Sequence, residues 1–227
     1  MPSRYDVFYN GGIYHIYDKT IDCREIFIPK LADEFIDIFS YYRSELSSSL
    51  RYSLFKKLPE ETHNSKLKKI FVNSHFMIEI FSFSLQPNHY HFLIKQLKEN
   101  GIIKFMSNIL NSITHYYNKG IHRKGPIFLP QFISKRIKNQ EQLTYTSRYI
   151  HTNCFAHQLV NNPEDIFEYP YSSIKPFISK SNPLKIRTDE IMSSFGYDQS
   201  KFKQFILNNA VDQKMREMVK YTFDWIR

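Results

Sequence analysis

Apolar and polar positions repeat with two different periods along the chain, and these periods predict its strands and helices. Residues 12–18 follow a Gly-Gly break and have the composition of a strand, and the almost wholly apolar run 76–85 fits a buried strand. Pro87-Asn88 is a turn signal, so residues 89–95 should return as the second strand of an antiparallel hairpin. The first half of the chain therefore supplies three strands of one sheet.

Apolar residues at helical spacing predict the longer helices. Their expected bounds are 31 to about 54, 102–118 and 140 to about 157. Residues 60–69 are polar and are expected to form a loop, whereas 126–137 should be extended. The order strand–helix–strand–strand–helix–strand is that of a ferredoxin-like fold. We therefore predict an α+β protein: a ferredoxin-like antiparallel sheet with helices on one face, plus an added helix that carries tyrosines.

The pattern becomes less regular after residue 173. Residues 188–227 should form two or three short helices. We therefore divide the chain into a main domain, 1–178, and a small helical C-terminal extension, 179–227, which could bind a partner or extend the core.

Charge and aromatic content narrow the class of partner. The 227 residues carry a formal charge of +9, and 16% of them are aromatic. Cations beside stacking rings suit single-stranded nucleic acid, although a membrane surface or a simple compositional bias would give the same numbers. Cys23 and Cys154 are too few and too far apart for a disulfide framework or a thiolate zinc site. With neither a signal-like N-terminus nor a membrane-length apolar run, a cytoplasmic protein without membrane contact is expected.

Two histidines one residue apart stand out within the apolar hairpin. On a strand, side chains at i and i+2 leave the same face, so His89 and His91 should lie side by side. Two imidazoles held in this way form half of a metal site. An H-x-H pattern is weak evidence alone in a chain with nine histidines.

The helix predicted over 140–157 supplies candidates for the other half. Tyr145, Tyr149 and Asn153 are four residues apart and share one helix face. Two imidazoles and one amide oxygen would give a divalent ion three protein ligands and leave positions for phosphate oxygens and water. A tyrosine beside that ion would be within reach of a phosphate as a nucleophile.

At these residues the chain resembles a known family, the single-tyrosine HUH transposases, in particular the REP-associated tyrosine transposases and their insertion-sequence relatives. The resemblance covers about residues 5–178, in the family's order. The matching segments are 11–17, 87–93, 112–119, 123–128, 148–153 and 168–173. The resemblance implies a transposase that cleaves and rejoins single-stranded DNA near hairpins through a 5′-phosphotyrosine intermediate.

The resemblance also implies a role for each site residue. Tyr149 would be the nucleophile, and His89, His91 and Asn153 would bind Mg²⁺ or Mn²⁺. Ligand chemistry alone would equally admit zinc or nickel, so the ion is inferred from the family. The rival tyrosines are Tyr116, Tyr117 and Tyr145. His15, His75, His115, His122, His151 and His157 are not assigned to the site.

The partner implied is a hairpin-containing single strand, and a homodimer is one of the assemblies that the family uses. Basic residues near the predicted site are candidates for contacts with the DNA backbone. They are Lys119, Arg123, Lys124, Lys135 and Arg136. The alternative interpretation is that these residues form an ordinary solvated basic surface with no role in binding. The chain departs from the family at Cys154, where proline is usual, and over 128–132, which lacks the usual glycine and arginine.

Three other functions remain open on the sequence. A domesticated relative would bind structured single-stranded DNA without cutting it. A replication initiator or relaxase would normally carry a larger partner domain. A metal-dependent RNA nuclease would use water and form no covalent adduct.

Overall fold

The computed structural model describes the backbone of residues 7–224 and the side chains as far as Glu217. The ends of the two predicted units, residues 1–6 and 225–227, lie outside the described residues. The strands of the described part are β1 (Ile13–Lys19), β2 (Ile78–Gln86), β3 (His89–Gln96) and β4 (Ile133–Ile137). They pair antiparallel in the order β2-β3-β1-β4. This order confirms the predicted ferredoxin-like α+β fold.

Helices cover both faces of this sheet. Within residues 7–224 they are α1 (Pro29–Tyr42), α2 (Tyr52–Phe55), α3 (Glu60–Ile70), α4 (Gly101–Gly120), α5 (Gln140–Ala156), α6 (Lys175–Ile178), α7 (Asp189–Met192), α8 (Gln199–Leu207) and α9 (Ala210–Asp224). Helices α1 and α4 pack on one face, and α5 crosses the other, where α8 and α9 pack against it. None of these helices is long and apolar enough to cross a bilayer.

Two predicted elements between β1 and β2 were wrong. The helix expected to reach about residue 54 ends at Tyr42. The next residue, Arg43, is buried, because its guanidinium donates to the carbonyl of Leu184 and lies 3.9 Å from the centre of the Phe76 ring. These tertiary contacts coincide with the end of the helix. The loop expected over 60–69 is helix α3.

The chain between α4 and α5 is less extended than expected. Of the segment 126–137, only the last five residues form strand β4, and Phe128 adds an isolated bridge to Thr20. In the C-terminal extension, α9 is longer than the short helices expected there. Because α8 and α9 contact α5, the extension lies on the same side of the sheet as the tyrosine helix.

Alternation along the strands gives the sheet two different faces. Phe83 and Phe92 point to the α1/α4 side, where their rings pack against Phe39 of α1, and Phe92 also meets Phe105 of α4. On the opposite face, Ser82 of β2 shares a 2.7 Å hydrogen bond with a serine hydroxyl of α5. The strand histidines also point to this α5 face.

Candidate active site on the α5 face of the sheet

His89 and His91 lie on one face of β3, as the i, i+2 spacing predicts. Their ring centres are 5.3 Å apart and their planes are nearly perpendicular. His89 Nδ1 lies 2.7 Å from Oδ1 of Asn88, whose amide nitrogen in turn faces the Cys23 carbonyl at 3.5 Å. An amide oxygen only accepts, so His89 donates through Nδ1 and carries its lone pair on Nε2. That is the tautomer a ligating imidazole needs.

His15 of β1 orients the second imidazole. Its Nε2 lies 3.0 Å from Nδ1 of His91, and the two rings are stacked with centres 5.2 Å apart. Burial, and after it the charge of Lys135, lowers the pKa of His15 to about 4. A neutral His15 can donate to or accept from His91 and so fix its tautomer. His15 therefore acts as a hydrogen-bonding partner behind a candidate ligand.

Sequence reasoning left His15 and His157 outside the site, and the structure brings both to it. His157 follows α5, and its ring centre lies 4.6 Å from that of His89. His15 could have been found from the strand order, because β1 is the neighbour of β3 and His15 faces the same way as His91. The sequence carries no comparable signal for His157.

Tyr149 of α5 lies over the histidines. Its ring centre is 5.6 Å from that of His91 and 5.9 Å from that of His15, edge-on to both. Its hydroxyl lies 3.5 Å from Oε1 of Glu217 on α9. Burial first, and Glu217 second, raise the pKa of Tyr149 to about 12, whereas the amide of Asn153 acts in the opposite direction. In the structure as it stands, the phenol is therefore protonated at neutral pH.

Asn153, one turn beyond Tyr149, is fully buried. No described residue gives its Oδ1 or Nδ2 a hydrogen bond of good geometry. A buried amide without partners costs about 1–3 kcal/mol. An oxygen-seeking ion would satisfy its Oδ1, and two imidazole nitrogens plus an amide oxygen suit a divalent metal. Among the described residues, no group of three His, Cys, Asp or Glu side chains could hold an ion by itself.

Helix α9 fixes the tyrosine helix from the side away from the sheet. Gln213 donates through Nε2 to the backbone carbonyl of Tyr149 at 3.1 Å and accepts a hydrogen bond from the Thr152 hydroxyl. Four residues later, Glu217 reaches the Tyr149 hydroxyl. The C-terminal extension thus supplies two side chains to the surroundings of the candidate nucleophile, and neither was expected from the sequence.

The rival tyrosines have different surroundings. Tyr116 and Tyr117 are on α4, which packs on the opposite face of the sheet from the histidines. Tyr145 is one turn before Tyr149, but it is 47% exposed and its ring packs against Phe205 of α8. Of the four tyrosines considered, Tyr149 is the one in ring contact with His91.

The five basic candidates are dispersed around the molecule. Lys135 of β4 lies on the α5 face of the sheet. Its ammonium is 5.9 Å from the centre of the Tyr17 ring, and Tyr17 stacks on His91. Arg136 points toward Tyr9, and Arg123 donates to Asn118 and to the carbonyls of Gly125 and Pro126, which fixes the turn after α4. The remaining two, Lys119 and Lys124, are exposed.

Comparison with known proteins agrees with this fold and shows the family. The family model for IS200-like transposases matches residues 20–153, which include the histidine pair, Tyr149 and Asn153. The chain therefore belongs to the IS200-like transposase family, and it is a DNA transposase by that membership. No curated protein matches its sequence.

Two solved structures are similar to this chain. One is a REP-associated tyrosine transposase bound to a REP hairpin, with a TM-score of 0.53 and 14% identity over 84% of this chain and 93% of that chain. The second is a protein of Deinococcus radiodurans described as a transposase, with a TM-score of 0.35 and 13% identity over 64% of this chain and 92% of that one. The first shares the fold of this chain.

Proposed function

We propose that this protein cleaves and rejoins single-stranded DNA through a covalent 5′-phosphotyrosine on Tyr149, with Mg²⁺ or Mn²⁺ held by His89, His91 and Asn153. The observation that carries the proposal is the position of Tyr149. Its ring stands edge-on to His91, one turn before a fully buried amide that has no described hydrogen bond of good geometry. Nucleophile and candidate ligands thus come from two elements, α5 and β3, that pack face to face.

The residues present fit a divalent ion. His89 is set in its ligating tautomer by Asn88, and His91 is oriented by His15. When bound, the ion would neutralise charge on the scissile phosphate and so reduce the repulsion of an incoming oxygen. We expect Asn153 to contribute its Oδ1, since that atom is buried on the same face.

The chemical step is an exchange of one phosphodiester for another. The phenolic oxygen of Tyr149 attacks phosphorus, the bond from phosphorus to the 3′ oxygen breaks, and the products are a 5′-phosphotyrosyl protein and a 3′-hydroxyl strand. The phenolic proton passes to Glu217, whose carboxylate is 3.5 Å from the hydroxyl, and the departing 3′ oxygen takes a proton from water. Because the covalent bond is retained, a second 3′-hydroxyl can reverse the step and join a new strand.

The substrate we propose is a single strand that carries a hairpin. Support comes from the family and from the similar fold of a transposase bound to a REP hairpin. Lys135 lies on the face where the strand would meet Tyr149, and the exposed Lys119 and Lys124 are further candidates for contacts with the DNA backbone. A flexible single strand can be threaded past a fixed nucleophile, whereas an internal phosphate of a duplex is far less accessible.

A denaturing gel tests the proposal directly. Purified protein is mixed with Mg²⁺ or Mn²⁺ and labelled single strands that contain hairpins from beside its own gene. We expect a covalent protein–DNA band that disappears with chelator and in Tyr149→Phe. Tyr145→Phe, one turn away on the same helix, is the matched control and should retain the band.

Other outcomes would replace the proposal. Cleaved DNA without an adduct would indicate a hydrolytic nuclease. Binding of a hairpin substrate without either product would indicate a domesticated binding protein.

A further inference from the structure

We propose that the cleft between α5 and α9 binds a nucleotide of the DNA strand next to the scissile phosphate, its phosphate on Arg148 and Arg216 and its base on Tyr145. The inference rests on the proposed function, because it places this nucleotide relative to the attack by Tyr149. The α5–α9 cleft is a cavity of about 170 Å³, and its lining is Tyr145, Arg148, Tyr149, Asn209, Gln213, Arg216 and Glu217.

The position of the cleft is fixed by Tyr149, which forms one of its walls. One side of the tyrosine ring faces His91 and His15, and the hydroxyl points to Glu217 inside the cleft. A strand whose phosphate lies between the histidines and this hydroxyl has its next nucleotide at the mouth of the cleft. At about 30 Å³ per water molecule, the cavity holds the equivalent of roughly five to six waters, which is enough for a hydrated phosphodiester group.

The charges of the cleft suit an anion at one end. The Arg148 guanidinium packs 4.3 Å from the centre of the Phe205 ring and 4.7 Å from that of Tyr145, and one of its nitrogens reaches the Phe205 carbonyl at 3.5 Å. A guanidinium has five N–H donors, so further donors remain for phosphate oxygens. In the described part of the chain, no carboxylate forms an ion pair with Arg148 or Arg216.

Glu217 gives the cleft a direction. Its carboxylate lies at the Tyr149 end of the cleft. There it repels any phosphate whose charge is not neutralised by an ion at His89 and His91. The flanking phosphate is therefore favoured at the arginine end. Two guanidinium groups against one carboxylate leave the cleft with a net positive charge.

Tyr145 provides a surface for the base. Its ring is 47% exposed and is held from behind by Arg148 and Phe205. Stacking of a base on an exposed aromatic ring is tolerant of sequence and common in proteins that bind single strands. Tyr145 does not contact His89 or His91, but its exposed ring is available to a base that enters the cleft.

The test compares Arg216→Gln with Lys201→Gln, which removes an exposed cation on α8 outside the cleft. Adduct formation is measured at several substrate concentrations on a full-length strand and on strands shortened from either side of the cut. For Arg216→Gln we expect KM to rise about tenfold with little change in kcat, since one charged contact is lost. The slope of log binding constant against log salt should fall by about one.

The shortened strands identify which neighbour occupies the cleft. When that nucleotide is missing, Arg216→Gln and the wild type should give the same KM. Tyr145→Ala should raise KM on the full strand, because the stacking ring is lost, and should match the wild type on the strand that lacks this nucleotide. Equal melting temperatures of the variants would exclude misfolding as the cause.

Two negative results have different meanings. If the wild type forms adducts and Arg216→Gln behaves like Lys201→Gln on every strand, the cleft inference is wrong and the proposed function stands. If the wild type forms no adduct on any strand, the proposed function is wrong and the inference falls with it.

Discussion

The two faces of the sheet are covered by helices, but they carry different side chains. Toward α1 and α4, buried aromatic and aliphatic residues such as Tyr14, Ile16 and Phe92 form a continuous core. Toward α5, buried or nearly buried positions hold imidazoles, hydroxyls and the amide of Asn153. Burying polar groups stabilises a fold less than burying apolar ones, and it costs free energy where partners are missing. The α1/α4 face is therefore the more apolar of the two, and the buried polar groups of the α5 face are those of the proposed site.

The largest effect is expected from the α1/α4 face. Phe92 is fully buried against Phe39, Phe83 and Phe105, so Phe92→Ala should lower the free energy of unfolding by about 3–5 kcal/mol. Urea denaturation followed by circular dichroism measures this. Phe92→Leu, which keeps most of the volume, is the control and should cost much less. A loss below about 1 kcal/mol in Phe92→Ala would contradict the view that this face carries the stability.

Asp18 is a buried carboxyl on the apolar face, and it makes that face sensitive to pH. Burial raises the pKa of Asp18 to about 7 from an ordinary value of 3.8, so the native state holds the proton more tightly than the unfolded chain. The stabilisation that the protonated Asp18 gives the folded state is therefore complete below about pH 4, and it is lost as the pH rises toward 7. Between pH 5 and pH 8 this amounts to about 2.5 kcal/mol of unfolding free energy.

Asp18→Asn tests this by removing the titration. The difference in unfolding free energy between the variant and the wild type should shift in favour of the variant by about 2.5 kcal/mol from pH 5 to pH 8. Comparing the same two proteins at both pH values cancels any constant cost of the new amide. An unchanged difference would show that Asp18 titrates normally.

A smaller effect, of opposite sign, is expected on the α5 face. Asn153→Leu replaces a buried amide that has no described hydrogen bond of good geometry, so it should stabilise the metal-free protein by about 1 kcal/mol. The same change should abolish Mn²⁺ binding in calorimetry, because a ligand oxygen is removed. Asn153→Asp, which keeps an oxygen, is the control and should retain binding. Destabilisation by Asn153→Leu together with normal Mn²⁺ binding would mean that Asn153 has a packing role alone.

The same contrast explains how much of the fold the sequence predicts. Apolar periodicity and the order of elements predict the sheet and its topology, because these follow from alternation and helical spacing. Local spacing also places His89 beside His91 and Asn153 one turn after Tyr149. Helix α3 was missed because only Leu67 and Ile70 in its second half turn inward. Its better signal is charge, since acids begin it and lysines end it, as the helix dipole favours.

The missing parts of the site depend on contacts between distant residues. His15 meets His91 across 76 positions, and Glu217 meets Tyr149 across 68. Such contacts depend on the register of β1 against β3 and on the packing of α9, which no local pattern specifies. Local sequence patterns therefore point to a candidate nucleophile and candidate ligands, but not to the residues that contact them from distant elements, such as His15 and Glu217.

The smallest effect is expected for Tyr145→Phe, and it bears directly on the choice of nucleophile. The Tyr145 side chain is 47% exposed and its ring, not its hydroxyl, makes the contacts with Arg148 and Phe205. Loss of the hydroxyl should change the unfolding free energy by less than about 0.5 kcal/mol and leave the rate of adduct formation unchanged. Rates on a gel and a urea titration measure both quantities. If Tyr145→Phe lost the adduct while Tyr149→Phe kept it, the nucleophile would lie outside the histidine site, and the polar face of the sheet would need a different explanation.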